Sequence, residues 1–463
     1  MNLGEIRTFV NNILDYSPSV QAYTDEVNNI INEIYLTHFT DRLWEYSQKE
    51  VRLSVYADVE GNFTAQADGS LITAGGNGIA DWVSWGHIAE ITVASATQGN
   101  VEVGKEYHIS YREDIAGDTR IFLEDMARQG YSSQYGAKDR ALQAAAGDTF
   151  TIKFKQRNIT LPEDCVELLG IGLRERGQGI RSPFEVLPRW TDENLALDLD
   201  LVALPTDVII TQPFSMMPPV NDPRLATRAA ATNTVDIAGD YEVAYTIIHR
   251  SRTDDTIVEL ESAPFFSTGS FTFAVGDTIK ATNLEITDDN PRSAYQEFMK
   301  RTYVKGPNSS HFYRAADNAA AEFDNEDDNG GTGLLAFEFA HKTEARLPEH
   351  GGTYQRCRLY PRQDKDYEAT FRYQFRPIIL RDDTDTPQMP ADSHRYLAYR
   401  ACQELFMKHG NVIQSQAYQK KADKELLKIE NRYLRTKGAT HIKGPYRTNG
   451  QLFGRPQIKI TRT

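Results

Sequence analysis

The feature that most constrains the fold lies near the C-terminus, between residues 376 and 435. An extended, proline-punctuated segment, RPIILRDDTDTPQMPADS, changes abruptly into two successive patterns of helical period. Asp392 or Ser393 is placed to cap the first helix and Gly410 to end it. The apolar stripes consist of Leu397, Ala398, Ala401, Leu405 and Phe406 in the first helix and Tyr418, Ala422, Leu426, Ile429 and Tyr433 in the second. Because neither helix can bury its stripe alone, another part of the chain must cover them.

The N-terminus repeats this pattern. Residues 3–15 place apolar side chains on one helical face, Tyr16, Ser17 and Pro18 interrupt it, and a second helix is predicted from about Thr24. The simplest way to cover all four stripes is to pack the two ends of the chain against each other. The sequence therefore predicts an α+β fold, with a four-helix bundle formed by N- and C-terminal helical hairpins and with large β-rich, sandwich-like insertions.

The middle of the chain has the period of β-strands. From about Val51, runs such as VRLSVYADV, HIAEITVAS and DTFTIKFKQR alternate apolar and polar residues, and an alanine-rich stretch at 119–146 predicts one helical interlude. Residues 234–288 read as a compact all-β unit of immunoglobulin or fibronectin type III kind. The expected segments are an N-terminal helical hairpin (1–50), a β-rich insertion (51–157), a core β segment (158–190), a sandwich-like insertion (191–290), a β-rich return to the core (291–376), an extended linker with a C-terminal helical hairpin (377–436) and a basic arm (437–463).

Composition limits the cellular setting. No apolar run in the 463 residues approaches the roughly 20 that a membrane helix needs, and MNLGEIRTFV has charges where a signal peptide has its apolar core. We therefore expect synthesis in the cytoplasm and no contact with a membrane. The three cysteines are far apart, which fits neither a disulfide framework nor metal-ligand spacing.

The charge is distributed unevenly. From residue 395 to the end there are 15 Lys plus Arg against 4 Asp plus Glu, whereas residues 1–394 have 36 against 61. An acidic body with a net charge of −25 therefore carries a basic tail of +11. Such a tail is typical of a nucleic-acid patch or of an arm that docks on an acidic protein surface, although Lys420, Lys421, Lys424 and Lys428 equally fit a solvated helix face.

No catalytic constellation is evident. The sequence has no HExxH, no GxSxG elbow and no Walker loop, and its histidines lack the helical spacing of a metal pair. In the acidic run at 322–333, counting Asp324 as the first ligand puts Leu335 where a calcium loop needs glutamate. We therefore predict a protein that is not an enzyme and has no catalytic residues, cofactor or metal.

Three stretches resemble the head-to-tail adaptor, or connector, proteins of tailed bacteriophages. These are ITLPEDCVELLGI, the segment from RLYPRQDKDYEATFRYQFRPIIL through RDDTDTPQMPADSHRYLAYRACQELF, and the lysine-rich helix after it. Adaptors similarly open with two helices, use an "LP" strand and run from "Y-x-P" into an extended acid-proline segment before a helical hairpin. The resemblance covers pieces at 1–50, 158–190 and 355–436, and it leaves the blocks at 51–157 and 191–354 as insertions.

The resemblance implies a structural protein of the virion, at the head–tail junction. It implies a homo-oligomeric ring, usually of twelve subunits, that binds the portal protein above and a tail nozzle or tail tube protein below, with tail fibres as further partners. Double-stranded DNA would pass through the ring without specific binding. The expected portal-contact residues lie in the C-terminal arm: Lys443, Arg447, Arg455, Lys459 and Arg462. Asp382, Asp383 and Asp385 are candidates for an acidic channel surface or, equally, for a polar linker.

Two other functions remain open at the level of sequence. A receptor- or carbohydrate-binding, or fibre-anchoring, tail protein could be built on the β insertions, and it requires an exposed Trp82 or Trp85, although core packing is commoner for tryptophan. A cell-wall hydrolase of the virion requires a pair of carboxylates in a cleft.

Overall fold

A computed structural model shows how these segments fold. The structure describes residues 1–17, 20–95, 101–125, 142, 144–177, 185–187, 189–191, 201–216, 218–227, 235, 237–249, 260–277, 279–284, 298–307, 309–317, 333–336, 346–348 and 351–434. Strands account for 42% and helices for 24% of the structure. The α-helices of the described residues are α1 (Leu3–Leu14), α2 (Gln21–Thr40), α3 (His394–Lys408) and α4 (Val412–Tyr433).

The strands, in chain order, are β1 (Gln48–Val55), β2 (Val59–Ala65), β3 (Leu71–Ile72), β4 (Ile88–Ser95), β5 (Glu106–Ile115), β6 (Asp118–Asp125), β7 (Thr149–Lys155), β8 (Ile159–Thr160), β9 (Cys165–Glu175), β10 (Glu185–Leu187), β11 (Arg189–Thr191), β12 (Val202–Ala203), β13 (Asp207–Ser215), β14 (Arg224–Thr227), β15 (Gly239–His249), β16 (Leu260–Glu261), β17 (Phe265–Phe266), β18 (Phe271–Phe273), β19 (Ile279–Leu284), β20 (Phe298–Lys305), β21 (Tyr313–Asp317), β22 (Gly333–Ala336), β23 (Thr353–Tyr360), β24 (Arg362–Gln363) and β25 (Tyr367–Phe375). They form several sheets and one closed barrel.

The first core is a helical layer packed on a sheet. Its strands lie in the order β1-β25-β9-β10, and β1 pairs antiparallel with β25 over its whole length, from Gln48 opposite Gln374 to Val55 opposite Tyr367. The buried cluster joins Ile6 of α1, Tyr35 of α2 and Leu397 of α3 to sheet residues such as Phe371. The apolar stripes of α1, α2 and α3 thus share one core with the sheet, because a half-buried antiparallel sheet offers a wide apolar face.

The predicted four-helix bundle of N- and C-terminal hairpins is therefore wrong. The structure is mostly β and contains a β-barrel. The fourth helix, α4, lies along α3 and buries only Ser415, Ala422 and Ile429, none of which belongs to the first core. A bundle needs a shared apolar centre between all four helices, whereas here α1, α2 and α3 share their core with the sheet and α4 adds only the half-buried Tyr418 to it.

The first insertion is a closed barrel rather than a sandwich. Its strands are hydrogen-bonded in the order β2-β3-β6-β5-β4-β7, which returns to β2. Side chains that point inward along each strand, including Phe63, Ile91, Ile109 and Phe154, form a second core. The helical interlude predicted at 119–146 is wrong where the structure describes it, because β6 covers its beginning.

A third core surrounds the long strand β15. This strand pairs with β20 from Glu242 opposite Lys305 to His249 opposite Phe298, and it also pairs with β16, β17 and β18. A small sheet, β14-β19-β22, and the sheet β11-β13-β23-β8 complete the strand-rich region, with the pair β12-β24 beside it. Gly352, before β23, lies so close to the loop after β16 that an added Cβ would be 2.5 Å from the nitrogen of Ala263.

Candidate functional site

The acid-proline segment that follows β25 is fixed to the N-terminal helices by hydrogen bonds. The Asn32 side chain both accepts from the N–H of Leu380 at 2.9 Å and donates to its carbonyl at 2.7 Å. The N–H of Gln388 donates to the Tyr35 hydroxyl at 2.9 Å. A segment without regular structure thereby satisfies its backbone groups on α2, which holds it in one place.

The same segment completes the N-terminus of α1. The first N–H groups of an α-helix have no partner within the helix. Here Leu3 donates to the carbonyl of Asp385 at 2.8 Å, and Gly4 donates to that of Asp383 at 2.9 Å. The Asp383 carboxylate also accepts two hydrogen bonds from the Arg7 guanidinium, both of 2.7 Å. Residues more than 370 positions apart thus form one local structure.

Asp385 is the centre of a buried ion-pair network. One carboxylate oxygen accepts from Arg346 at 2.7 Å, and the other accepts from His311 at 2.9 Å. That second oxygen also accepts the N–H groups of Arg381 and Asp382, at 2.8 and 2.9 Å. Burial alone would raise the pKa of Asp385, but these hydrogen bonds together hold it well below its usual range.

His311, Asp382 and Asp385 also bring three metal-ligating atoms within 4.8 Å of one another. The arrangement does not favour a cation, because both oxygens of Asp385 already accept hydrogen bonds and the positive Arg346 lies against one of them. Asp382 accepts hydrogen bonds from the hydroxyl and the N–H of Ser310. We interpret the group as a structural network that joins the acid-proline segment to the third core.

The structure thus gives a partner within the chain to each carboxylate proposed for a channel surface. Asp385 is buried, Asp382 is half-buried, and the exposed Asp383 is neutralised by Arg7. These contacts fit the alternative of a polar linker and give no support to a repulsive channel lining formed by these three residues. The proposed arm residues Lys443, Arg447, Arg455, Lys459 and Arg462 lie outside the described residues.

The tryptophans required for sugar binding are engaged in packing. Trp82 is 6% exposed and stacks on Tyr56 in the barrel, with ring centroids 5.6 Å apart. Trp85 is half-buried and contacts His249 and Phe298. Trp82 is thus buried and Trp85 half-buried, so neither meets the requirement for an exposed tryptophan.

The outer face of α4 combines exposed apolar side chains with lysines. Ile413, Lys420, Lys424 and Leu427 follow one another at steps of seven, four and three residues, so they share the face opposite the buried one. Ile413 is 82% exposed and Leu427 is 57% exposed. Neither Lys420 nor Lys424 forms an ion pair with a described residue. We call these four residues the α4 stripe.

A second stripe of opposite character runs along α2. Ala22, Asp25, Asn29, Glu33 and Thr37 are all exposed and follow at steps of three or four residues. The helix contains Asp25, Glu26 and Glu33 but no Lys or Arg, and Glu33 pairs with no described cation. We call these five residues the α2 stripe. The helical layer therefore has an acidic stripe on α2 and a basic, partly apolar stripe on α4, with α3 between the two helices.

The sequence left the lysines of α4 open between a solvated helix face and part of a basic docking or nucleic-acid surface, and it did not identify the α2 stripe. The spacing of three and four residues is present in the sequence of both helices. The exposed stripes can be recognised only when the structure shows which face of each helix is buried. None of the helices in the described residues is long and apolar enough to cross a membrane. Comparisons with protein-family models, curated proteins and solved structures find no match to this chain.

Proposed function

We propose that the chain is a structural virion protein, a head-to-tail adaptor whose copies form a ring between the portal and the tail of a bacteriophage. The observation that carries this proposal is the pair of unlike stripes on the helical layer. A subunit that joins its copies head-to-tail in a ring needs two different complementary surfaces, and the α2 and α4 stripes have opposite charge.

The geometry favours a head-to-tail contact between copies. If the α4 stripe of one copy packs on the α2 stripe of the next, each copy uses both surfaces once, and the contact is heterologous. Heterologous contacts close into a ring when the rotation between copies allows it. The contact would pair Lys420 and Lys424 with Asp25 and Glu33, and it would cover Ile413 and Leu427.

The proposed position between portal and tail would give the ring its role in the virion. The basic segment 437–463 would reach the portal, and the distal side would receive a tail nozzle or tail tube protein. Repulsion between phosphates and an acidic lumen would let DNA pass without sticking. Such a lumen would draw on carboxylates of the acidic body other than Asp382, Asp383 and Asp385, which have partners within the chain.

A charge exchange between the two stripes tests the contact. The double variant Lys420→Glu/Lys424→Glu should lose ring assembly, because it places like charges against the α2 stripe. A second double variant, Asp25→Lys/Glu33→Lys, should lose it for the same reason. Equimolar mixing of the two variants, or all four changes in one chain, should restore assembly, as measured by native mass spectrometry or sedimentation velocity.

The control is Lys365→Glu, which changes a 56% exposed lysine away from the helical layer. It should assemble like the unaltered chain. The contact would be refuted if both double variants assembled normally, or if each failed and the mixture did not recover although circular dichroism showed both to be folded.

A further inference from the structure

A cleft of about 180 Å³ lies where the three cores of the molecule meet. Leu53 and Ile159 bring the first core to its wall, Tyr56 and Trp82 bring the barrel, and Leu260 brings the third core. Its volume is too small for a large organic ligand and corresponds to several water molecules or one small ion with its hydration.

The polar lining of this cleft includes two arginines and three histidines. Arg157, Arg356, His87, His108 and His249 contribute to it, and no Asp or Glu is among the described residues that line it. The body around it has the opposite character, with 61 acidic residues against 36 basic ones in residues 1–394. Arg356 is therefore a cation held inside an acidic body, in a cleft whose described lining contains no carboxylate.

Arg356 is the group that most needs a partner. It extends from β23, its Nε donates to the Thr160 hydroxyl at 3.4 Å, and its guanidinium carbon is 3.8 Å from the ring centroid of Phe214. No described carboxylate lies within ion-pair distance of it. Burial lowers the pKa of Arg356 to about 10, which is the response of a cation removed from water without a compensating anion.

Two further groups are placed to bind whatever occupies the cleft. His108 donates its one ring N–H to the backbone of Gly86, and burial lowers its pKa, so its buried Nε2 atom, which has no hydrogen-bond partner, is an acceptor for an O–H group. The buried Oδ1 atom of Asn158 has none either, and rotation of this amide would present its NH₂ group as a donor. Arg157 is less available, because both oxygens of Glu106 bind its guanidinium at 2.8 Å.

We propose that this three-core cleft binds a small protonated oxyanion of the phosphate class, with Arg356 as the principal ligand, Asn158 donating to an anion oxygen and His108 accepting from the O–H group of the anion. The planar guanidinium matches two oxygens of such an ion, and it keeps three or more N–H groups beyond the one used by Thr160. The bound anion would neutralise Arg356 and join the barrel to the other two cores. The site does not depend on the proposed assembly.

The test is calorimetric titration of the full chain with inorganic phosphate, at ionic strength held constant with sodium chloride. We expect saturable binding of one phosphate per chain and a rise in melting temperature that follows the same saturation. Arg356→Met should bind phosphate about tenfold more weakly or not at all, because a charge-assisted, two-oxygen contact is lost. Its melting temperature should no longer depend on phosphate.

Two variants make the outcome decisive. Arg52→Met removes an arginine whose side chain is 68% exposed outside the cleft, and it should keep the full phosphate response. Arg356→Lys is the substitute if Arg356→Met does not fold. It keeps the charge but not the planar fork, so it should fold and should bind phosphate more weakly than the unaltered chain. The absence of saturable binding to the unaltered chain, or equal binding by a folded Arg356 variant, would overturn the proposal.

Discussion

Replacing Glu163 with Gln should stabilise the protein at alkaline pH and have little effect at acidic pH. Glu163 lies after the short strand β8, half-buried, where the first and third cores meet. Its pKa is raised from 4.5 to about 7, chiefly by burial and then by repulsion from Glu261, while a hydrogen bond from the N–H of Gly352 works in the opposite direction. Glu261 itself is buried and accepts 2.6 Å hydrogen bonds from Thr246 and Tyr303, so it remains a fixed neighbour.

The magnitude follows from the two pKa values. Between pH 4.5 and 7 the folded chain holds a proton on Glu163 that the unfolded chain has released, so the free energy of unfolding decreases as the pH rises through this window. Above pH 7 Glu163 is ionised in both states, and the free energy of unfolding is lowered by the full amount. At 1.36 kcal/mol for each pKa unit this amount is about 3 kcal/mol as an upper value. Glutamine keeps an oxygen that can accept from Gly352 and carries no charge, so the variant avoids this cost.

The assay is differential scanning calorimetry of both proteins at pH 5 and pH 8. The variant should melt several degrees above the unaltered chain at pH 8 and close to it at pH 5. Other titrating groups, such as His38 with its pKa lowered by burial to about 4, are common to both proteins and cancel in the comparison. Glu60→Gln, a change at an exposed barrel position, should show no such difference. A variant that is no more stable at pH 8, or equally stabilised at both pH values, would refute the reasoning.

Two further predictions concern packing and charge at the junctions between cores. Asp385→Ala should lower the free energy of unfolding by about 3–5 kcal/mol, because it leaves Arg346 and two backbone N–H groups without their partner. Asp383→Ala should cost at most about 1 kcal/mol, because the Asp383 side chain is 62% exposed in its pair with Arg7. Denaturant titration of the two variants measures this contrast, and equal losses would contradict the assigned network. Gly352→Ala should cost about 3 kcal/mol or more, because φ is +67° and the new Cβ would be 2.5 Å from a backbone nitrogen. Gly147→Ala should cost only about 1–2 kcal/mol, because φ is +94° but no atom lies within 4 Å of the new Cβ. Calorimetric melting of both variants measures the two losses, and a larger loss for Gly147→Ala would contradict the close approach at Gly352.

The helical segments illustrate what sequence periodicity can predict. Steps of three and four residues predicted helices close to the observed α1, α2, α3 and α4, and Gly410 follows α3 in the left-handed conformation, with φ +74°. Other predicted helix boundaries differ from the structure. The second helix begins at Gln21 rather than near Thr24. Of the two predicted caps of α3, Ser393 occupies the N-cap position without a side-chain cap hydrogen bond, and Asp392 instead hydrogen-bonds Arg432 and Tyr433 of α4.

What covers each apolar stripe could not be predicted in the same way. A stripe shows that a face is buried but not which element covers it, so the choice of a helical bundle over a sheet had no support in the local pattern. The sheet that covers the helices depends on β1 pairing with β25, across more than 300 residues of chain. Closure of the barrel, from β7 back to β2, has the same non-local origin.

The candidate sites were also beyond local sequence signals. The cleft brings His108 from β5 to Arg356 from β23 and Asn158 from the turn before β8, and no spacing rule connects them. The carboxylates at 382–385 were identified from their sequence as a cluster, but their partners Arg7, Ser310 and Arg346 come from three other parts of the chain. The charge pattern therefore identified these three carboxylates but could not predict that they bind other parts of the chain.

The proposed function depends on whether copies of this chain form a ring that binds a portal. Native mass measurement of the purified protein, alone and mixed with the portal protein of the same phage, tests this most directly. We predict a single closed oligomer, of twelve copies if the resemblance holds, that gains the mass of the portal on mixing, and a ring lacking residues 437–463 that forms but does not bind. A stable monomer whose mass is unchanged by the portal would contradict the account.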